Sequence, residues 1–167
     1  MKNIVLIGMP GAGKSTIGVI LAKVIGFSFI DSDLLIQEQE GCLLKDIIAK
    51  KGLDGFQVIE NQVNQDIETE NAVIATGGSV IYCPEAMEHL GNIGIIVYIK
   101  LSYKTIKNRL GNIRQRGVVF REGQSLKSLY EERCPLYEKY ADITVDGENL
   151  SMEELMEKIY NMVKELL

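Results

Sequence analysis

Short apolar runs alternate along the chain with segments that repeat apolar residues at helical spacing. The first run, residues 4–7, is rich in β-branched side chains and ends at a glycine. This pattern is typical of a strand buried on both faces of a parallel sheet. Further runs of this kind occupy residues 29–30, 72–75, 95–99 and, more weakly, 143–145. Each run is predicted to be a buried strand.

The segments between and after the runs predict helices. Three of them repeat apolar residues at helical spacing: Ile17, Ile20, Leu21 and Val24; Phe56, Ile59, Val63 and Ile67; and Met152, Leu155, Met156, Ile159, Val163 and Leu166. Ser151 and Glu154 have the spacing of a capping box at the start of the last helix. Strands that alternate with helices predict an α/β fold with a parallel sheet of about five strands, right-handed crossovers and helices on both faces.

Length and composition are those of one globular domain. The chain has 167 residues, of which 46% are hydrophobic and 25% charged, and no linker divides residues 1–167. Its apolar runs are far shorter than the roughly 20 residues of a membrane helix, and the first is too short for a signal peptide. We therefore expect a cytoplasmic protein without a membrane partner, and a monomer. Cys42, Cys83 and Cys134 are widely spaced, which favours reduced thiols.

Charge is unevenly distributed. The 23 acidic and 18 basic residues give a net charge of −5, which argues against a general polyanion-binding protein. Residues 109–121 nevertheless hold no acidic residue and these arginines: Arg109, Arg114, Arg116 and Arg121. The glycines of residues 111–123 predict a mobile lid that closes over a nucleotide, with a solvated loop as the alternative. Phe120 is the single aromatic residue of this stretch, so nucleic-acid binding is disfavoured.

A phosphate-binding loop (P-loop) follows the first strand. Residues 8–16 read Gly-Met-Pro-Gly-Ala-Gly-Lys-Ser-Thr and fit the pattern G-x-x-x-x-G-K-[ST] between a strand and a helix. In this motif, backbone N–H groups and the helix N-terminus hold phosphates, the lysine reaches the β- and γ-phosphates, and the hydroxyl ligates Mg²⁺. The predicted nucleotide-binding residues are Gly11, Ala12, Gly13, Lys14, Ser15 and Thr16. The alternative, a glycine turn that binds nothing, does not account for both flanks.

Two carboxylates stand at the end of the second predicted strand, in the sequence Asp31-Ser32-Asp33. Because the carboxyl ends of parallel strands share one edge of a sheet, both should lie near the P-loop. Residues two apart point the same way along an extended chain, which suits one for Mg²⁺ and the other for an acceptor hydroxyl. The alternative is a helix N-cap.

A second candidate anion site contains Arg133, two residues before Pro135. The proline is expected to disturb or end its helix, so that the guanidinium is aimed inward. The alternative is a surface arginine paired with a neighbouring glutamate.

Taken in order, these motifs resemble the shikimate kinase family along essentially the whole chain. The resemblance rests on the P-loop, Asp-Ser-Asp, Phe-x-x-x-Glu at residues 56–60, Ala-Thr-Gly-Gly at residues 75–78, the arginine-rich stretch, and Glu-Arg-Cys-Pro-Leu-Tyr at residues 132–137. It implies a five-stranded parallel sheet with a closing lid. It also implies transfer of the γ-phosphoryl group of ATP to a ring hydroxyl of shikimate, in aromatic amino-acid synthesis.

The resemblance implies a nucleotide side of the site. Lys14 would be catalytic and bind phosphates, and Ser15 would ligate Mg²⁺. Asp31 would hold metal-bound water. Arg116 matches a catalytic lid arginine that contacts the phosphates, and Arg109 one that lies against adenine.

On the acceptor side, the resemblance implies that Asp33 binds the hydroxyls of the acceptor and is the catalytic base. Arg133 would bind the substrate carboxylate. Gly77 and Gly78 would bring backbone amides close to the substrate.

The departures from the family pattern fall mainly on this acceptor side. Gln57 stands where the family has a second carboxylate-binding arginine, and Ser79 stands where a third glycine is usual, by substitution or by a one-residue shift. Leu53 replaces a glutamate, and Val19 replaces an arginine after the P-loop. We keep Gln57 and Ser79 as candidate substrate-binding positions. Two alternatives stay open: a kinase of another small hydroxy acid, and a catalytically silent nucleotide-binding regulatory module.

Overall fold

A computed structural model of the chain describes residues 2–111 and 120–167. Within them lies a five-stranded parallel sheet in the order β2-β3-β1-β4-β5. The strands are β1 (Asn3–Ile7), β2 (Ser28–Asp31), β3 (Ala72–Ala75), β4 (Gly94–Lys100) and β5 (Ile143–Asp146). Every predicted strand is present, and the predicted α/β fold with a parallel sheet is confirmed.

Helices follow the strands in the expected alternation. They are α1 (Lys14–Ile25), α2 (Ser32–Glu40), α3 (Leu44–Gln65), α4 (Pro84–Ile93), α5 (Tyr103–Leu110), α6 (Leu126–Tyr140) and α7 (Met152–Val163), with a 3₁₀ turn at Val80–Tyr82. The predicted cap of α7 is confirmed, because the Ser151 hydroxyl accepts a hydrogen bond of 3.1 Å from the Glu154 N–H. Within the described ranges, no helix is long and apolar enough to cross a membrane.

The carboxyl ends of β1, β2 and β3 meet at one edge of the sheet. The last residue of β2, Asp31, lies opposite Ala75 at the end of β3. Beyond that edge, the hydroxyl and the N–H of Thr76 both donate to the Leu6 carbonyl oxygen of β1, at 2.8 and 3.2 Å. The loops after these three strands are thereby held together, at the edge where open α/β sheets bind ligands.

Helix α1 carries the P-loop and packs closely against the sheet. Its Ile17 and Leu21 are fully buried. Gly18 permits the approach, because a Cβ there would lie 2.6 Å from Cε2 of Phe29. Val24, predicted on the same apolar face, is instead 59% exposed; it lines an open cavity between the ends of α1 and α7.

Two further apolar positions differ from the prediction. Helix α7 ends at Val163, so Leu166 lies beyond the helical face and is 52% exposed. Helix α3 ends at Gln65, and the predicted helical residue Ile67 is buried just after it. Helix α3 is also interrupted at Gly52, where φ is 70° and ψ is 176°, a conformation that favours glycine.

The three cysteines are free thiols. Cys83 is buried, whereas Cys42 and Cys134 are half-buried.

Candidate active site

The P-loop connects β1 to α1 and encloses its own lysine. Gly13 precedes the first residue of α1 with φ at 92°, in the left-handed region that glycine tolerates. Lys14 is 8% exposed, and its Nζ donates to the carbonyl oxygens of Gly8 and Met9 at 2.7 and 2.9 Å. Burial lowers the pKa of Lys14 to about 8, while the nearby Asp33 acts to raise it. The ammonium is therefore still cationic at neutral pH.

Ala12 is a P-loop residue whose side chain faces away from the site. Its side chain is fully buried in the core, and its N–H donates to the Met9 carbonyl oxygen at 3.1 Å. Its place in the loop is structural in this conformation.

Ser15 and Asp31 meet at the start of their helices. The Ser15 hydroxyl donates to Oδ2 of Asp31 at 2.7 Å. The other oxygen, Oδ1, accepts the N–H groups of Asp33 and Leu34 at 3.0 and 3.3 Å, so Asp31 is the N-cap of α2. Asp31 can cap α2 and accept the hydrogen bond of Ser15 at the same time, because each interaction uses a different carboxylate oxygen.

Asp33 does not continue the strand. Because α2 begins at Ser32, the prediction that Asp31 and Asp33 point the same way along an extended chain is wrong. Asp33 lies in the first turn of α2, half-buried. Burial and the negative charge of Asp31 raise its pKa to about 6, and Lys14 opposes the shift.

A cavity of about 250 Å³ joins the P-loop to the loop after β3. It is lined by Pro10, Gly11, Gly13, Lys14, Ser15, Thr16, Asp33, Thr76, Gly77, Gly78 and Leu110. Most of the predicted nucleotide-binding residues and three predicted acceptor-side residues thus share one cavity. The ammonium of Lys14 and the carboxylate of Asp33 both line this cavity.

Close packing at Gly77 and Gly78 leaves no room for side chains. A Cβ at Gly77 would lie 2.6 Å from Oδ1 of Asp33, and a Cβ at Gly78 would lie 2.8 Å from Cδ of Pro10 and 3.0 Å from Nη1 of Arg133. The Gly78 carbonyl oxygen also accepts a hydrogen bond of 2.6 Å from the Tyr137 hydroxyl. The loop after β3 therefore packs closely between the P-loop and α6.

Arg133 lies inside the protein. It is 1% exposed, and its guanidinium lies 5.4 Å above the ring of Tyr82. The alternative of a surface arginine is thereby excluded. Pro135 does not end the helix, because α6 continues to Tyr140. The missing proline N–H affects the carbonyl of Glu131, an exposed residue, where water can replace the lost hydrogen bond.

Glu60, to which the sequence pattern assigned no role, lies beside the cavity at Gly77. It is fully buried, and the Ser79 hydroxyl lies 2.7 and 2.9 Å from its carboxyl oxygens. Ser79, a candidate substrate-binding residue, thus directs its hydroxyl to Glu60. Gln57, one turn earlier on α3, is half-buried. The sequence did hold one indication that Glu60 is buried: it lies four residues after Phe56, on the apolar face of α3.

Arg109 and Met152 lie over the P-loop. Arg109 Nη1 donates to the carbonyl oxygens of Gly11 and Ala12 at 3.4 and 3.5 Å. A Cβ at Gly13 would lie 3.0 Å from Cε of Met152 and 4.0 Å from that same nitrogen. Sequence reasoning placed Met152 only on the apolar face of α7 and missed this contact, which depends on tertiary packing.

Most of the predicted lid, residues 111–123, lies outside the described residues, as do Arg114 and Arg116. Arg121 is described and exposed. Its N–H donates to Oε1 of Gln124 at 3.2 Å, in the turn before α6.

Comparisons with known proteins agree with this geometry. The family model for shikimate kinase matches residues 10–164. The shikimate kinase of Thermodesulfovibrio yellowstonii is 40% identical over 162 residues, covering 95% of this chain and 93% of that protein. The structure of shikimate kinase from Acinetobacter baumannii in complex with shikimate matches with a TM-score of 0.91 at 31% identity, covering 99% of this chain and 94% of that one. For shikimate kinase from Aquifex aeolicus, the TM-score is 0.85 at 34% identity, with coverage of 98% and 97%. The chain described here belongs to the shikimate kinase family.

Proposed function

We propose that this protein transfers the γ-phosphoryl group of ATP to a ring hydroxyl of shikimate, in aromatic amino-acid synthesis. The observation that carries the proposal is the shared cavity, which Lys14 and Asp33 line together with Gly77 and Gly78. Family membership supports the same reaction, because one structurally similar shikimate kinase is described in complex with shikimate. The enzyme would act as a monomer in the cytoplasm.

On the nucleotide side, the P-loop binds the phosphates of ATP. Lys14 supplies a cation that is already fixed inside the loop by two carbonyl oxygens. It would stabilise the charge that develops on the transferring phosphoryl group. Arg109 would lie against adenine, and Arg116 would bring a second cation to the phosphates.

The donor set also fits Mg²⁺. Ser15 and Asp31 place two hard oxygen atoms 2.7 Å apart at an exposed position. In nucleotide sites, Mg²⁺ takes one or two protein ligands and completes its shell with phosphate oxygens and water. Ser15, directly or with Asp31 through water, would hold the ion, which when bound neutralises phosphate charge.

On the acceptor side, Asp33 is positioned to orient the hydroxyl and accept its proton. Gly77 lines the cavity and would offer its backbone to the acceptor beside Asp33, whose Oδ1 lies 2.6 Å from the position of the missing Cβ. Arg133 supplies a buried cation for the carboxylate of the acceptor. Transfer would be in line between the two halves of the cavity.

A second candidate function is phosphorylation of a different small hydroxy acid. Two observations favour it: residue 57 is an uncharged glutamine, and the hydroxyl of Ser79 is directed to Glu60. Losing one charge-assisted partner of a carboxylate costs on the order of 1.5–3 kcal/mol. A catalytically silent module is disfavoured, since Lys14 and Asp33 are both retained in the cavity.

The test is ADP release by the purified protein with ATP and Mg²⁺, using shikimate and a panel of related hydroxy acids. Asp33→Asn is expected to lower kcat with shikimate about 10²-fold or more, whereas the exposed neighbour Glu38→Gln is the matched control and keeps kcat. Turnover of another acid with shikimate inert would favour the second candidate. ATP binding without turnover of any acid would favour the silent module.

A further inference from the structure

Glu60 is a buried carboxyl group that the proposed mechanism does not use. Its side chain is 0% exposed and reaches from α3 to the loop after β3. Oε2 of Glu60 and Oδ1 of Asp33 lie 3.0 and 2.6 Å from the same point, the Cβ position that Gly77 lacks. Glu60 therefore lies next to Asp33 at the Gly77 backbone, and both Asp33 and Gly77 line the cavity.

The hydrogen-bond partners of Glu60 in the described ranges are neutral. The Ser79 hydroxyl lies 2.7 and 2.9 Å from its two oxygens, and Cys83 Sγ lies 4.0 Å from Oε1. A fully buried carboxyl group with neutral partners favours its protonated form, because burial penalises the charge.

Charged groups reach Glu60 from two packed elements. Asp33 on α2 acts to raise the pKa of Glu60, and Arg133 on α6 acts to lower it. On α4, Glu85 acts on the Cys83 thiol rather than on Glu60 itself. Burial dominates and raises the pKa of Glu60 to about 7, although the Ser79 hydrogen bond opposes the shift.

We propose that Glu60 determines the affinity of the pocket for acidic acceptors: an acid binds tightly only when Glu60 carries a proton, and Ser79 sets how firmly that proton is held. An acceptor carboxylate adds a negative charge to a poorly screened site. Ionised Glu60 repels that charge, so binding takes up a proton from solvent onto a Glu60 oxygen. The same coupling must weaken acceptor binding when Glu60 ionises, because linkage is reciprocal. The inference rests on the proposed function only for the identity of the acid.

Calorimetric titration of the full chain with shikimate, in buffers of different ionisation enthalpy, measures both effects. In the wild type, the dissociation constant for shikimate should rise about tenfold between pH 6 and pH 9, with net proton uptake near neutral pH. Glu60→Gln should remove the proton uptake and the rise below pH 8, while the further rise caused by deprotonation of Lys14, whose pKa is about 8, should remain. The matched control Glu85→Gln, which removes an exposed carboxylate nearby, should retain both.

Ser79→Ala is the second variant, and the direction in which it shifts the pH dependence of binding tests the proposal. The Ser79 hydroxyl stabilises the ionised form of Glu60, so its removal should shift the rise in the dissociation constant to higher pH. A purely structural role of the pair would weaken binding equally at every pH.

Carbon-13 NMR of the Glu60 carboxyl group, assigned with Glu60→Gln, separates this inference from the proposed function. We expect Glu60 to titrate far above an ordinary glutamate, and an acidic acceptor to raise its pKa further. If shikimate is inert but another hydroxy acid of the panel shifts the titration, the proposed function fails and the inference stands. Titration in the ordinary range, or a titration that no acid of the panel moves, would overturn the inference.

Discussion

The two sides of the cavity are built differently. The nucleotide side is a local structure, in which nine consecutive residues, 8–16, form a backbone cradle around Lys14. The proposed acceptor side draws on α2, α3, α6 and the loop after β3, where Glu60 and Arg133 are buried. The resemblance to the family implies that the departures of this chain fall mainly on that side.

The largest expected effect tests the nucleotide side. Lys14→Ala removes the cation held by the Gly8 and Met9 carbonyl oxygens, and should lower kcat on the order of 10³-fold for every acceptor. Steady-state ADP release measures it. The matched control is Lys23→Ala at the exposed end of α1, which should keep wild-type kcat. A loss confined to one acceptor would contradict the division between the two sides.

The next largest effect is on the free energy of unfolding, and it arises from Glu60 on the acceptor side. The pKa of Glu60 is 4.5 in the unfolded chain and about 7 in the folded protein. The folded state therefore holds a proton that the unfolded state releases, so this group lowers the free energy of unfolding as pH rises from about 4.5 to about 7. The free energy of unfolding falls by about 3 kcal/mol over this pH range.

Urea unfolding of the wild type and Glu60→Gln at several pH values measures this loss as a difference. Relative to Glu60→Gln, the wild type should lose about 3 kcal/mol of unfolding free energy as pH rises from about 4.5 to about 7, because the glutamine does not titrate. A difference between the two proteins that is independent of pH would show that Glu60 ionises normally in the fold.

A smaller effect should be confined to acceptor binding. In Gly77→Ala the new Cβ would lie 2.6 Å from Oδ1 of Asp33 and 3.0 Å from Oε2 of Glu60. We expect a cost of about 2 kcal/mol in acceptor binding, or a roughly thirtyfold higher KM for shikimate. The KM for ATP should change little. Gly91→Ala, where a Cβ makes only an ordinary contact of 3.5 Å with Ile96, is the matched control. Equal increases in both KM values would contradict the separation.

The smallest effect is a gain. Gln57→Arg adds a cation one helical turn before Glu60 and should lower the KM for shikimate about tenfold. Initial rates over a range of shikimate concentrations measure it, and Gln57→Lys compares a point charge with a bidentate one. An unchanged or higher KM in both variants would show that residue 57 does not face the carboxylate.

The local features could be predicted from the sequence. A strand buried on both faces has a continuous apolar run, and the P-loop is a motif whose context is contiguous, so both were found without tertiary information. The arginine-rich stretch was also found, but Arg116 and its role remain a prediction.

The features that depend on packing could not be predicted. Ser79 and Glu60 are separated by 19 residues, and their contact arises only when α3 packs beside the loop after β3. The predicted orientation of Asp33 was wrong. The Asp31 carboxylate caps α2, so a helix begins where an extended chain was expected. Helical periodicity also placed Val24 on a buried face, although the last turn of α1 faces an open cavity.

We propose that one cavity brings ATP and shikimate together for phosphoryl transfer. Phosphorus-31 NMR of the purified protein with ATP, Mg²⁺ and shikimate tests this proposal. A new phosphate-ester signal, coupled to a ring proton of shikimate, is expected to grow in equal amount with ADP. ADP that appears with inorganic phosphate alone, or no ADP at all, would contradict it.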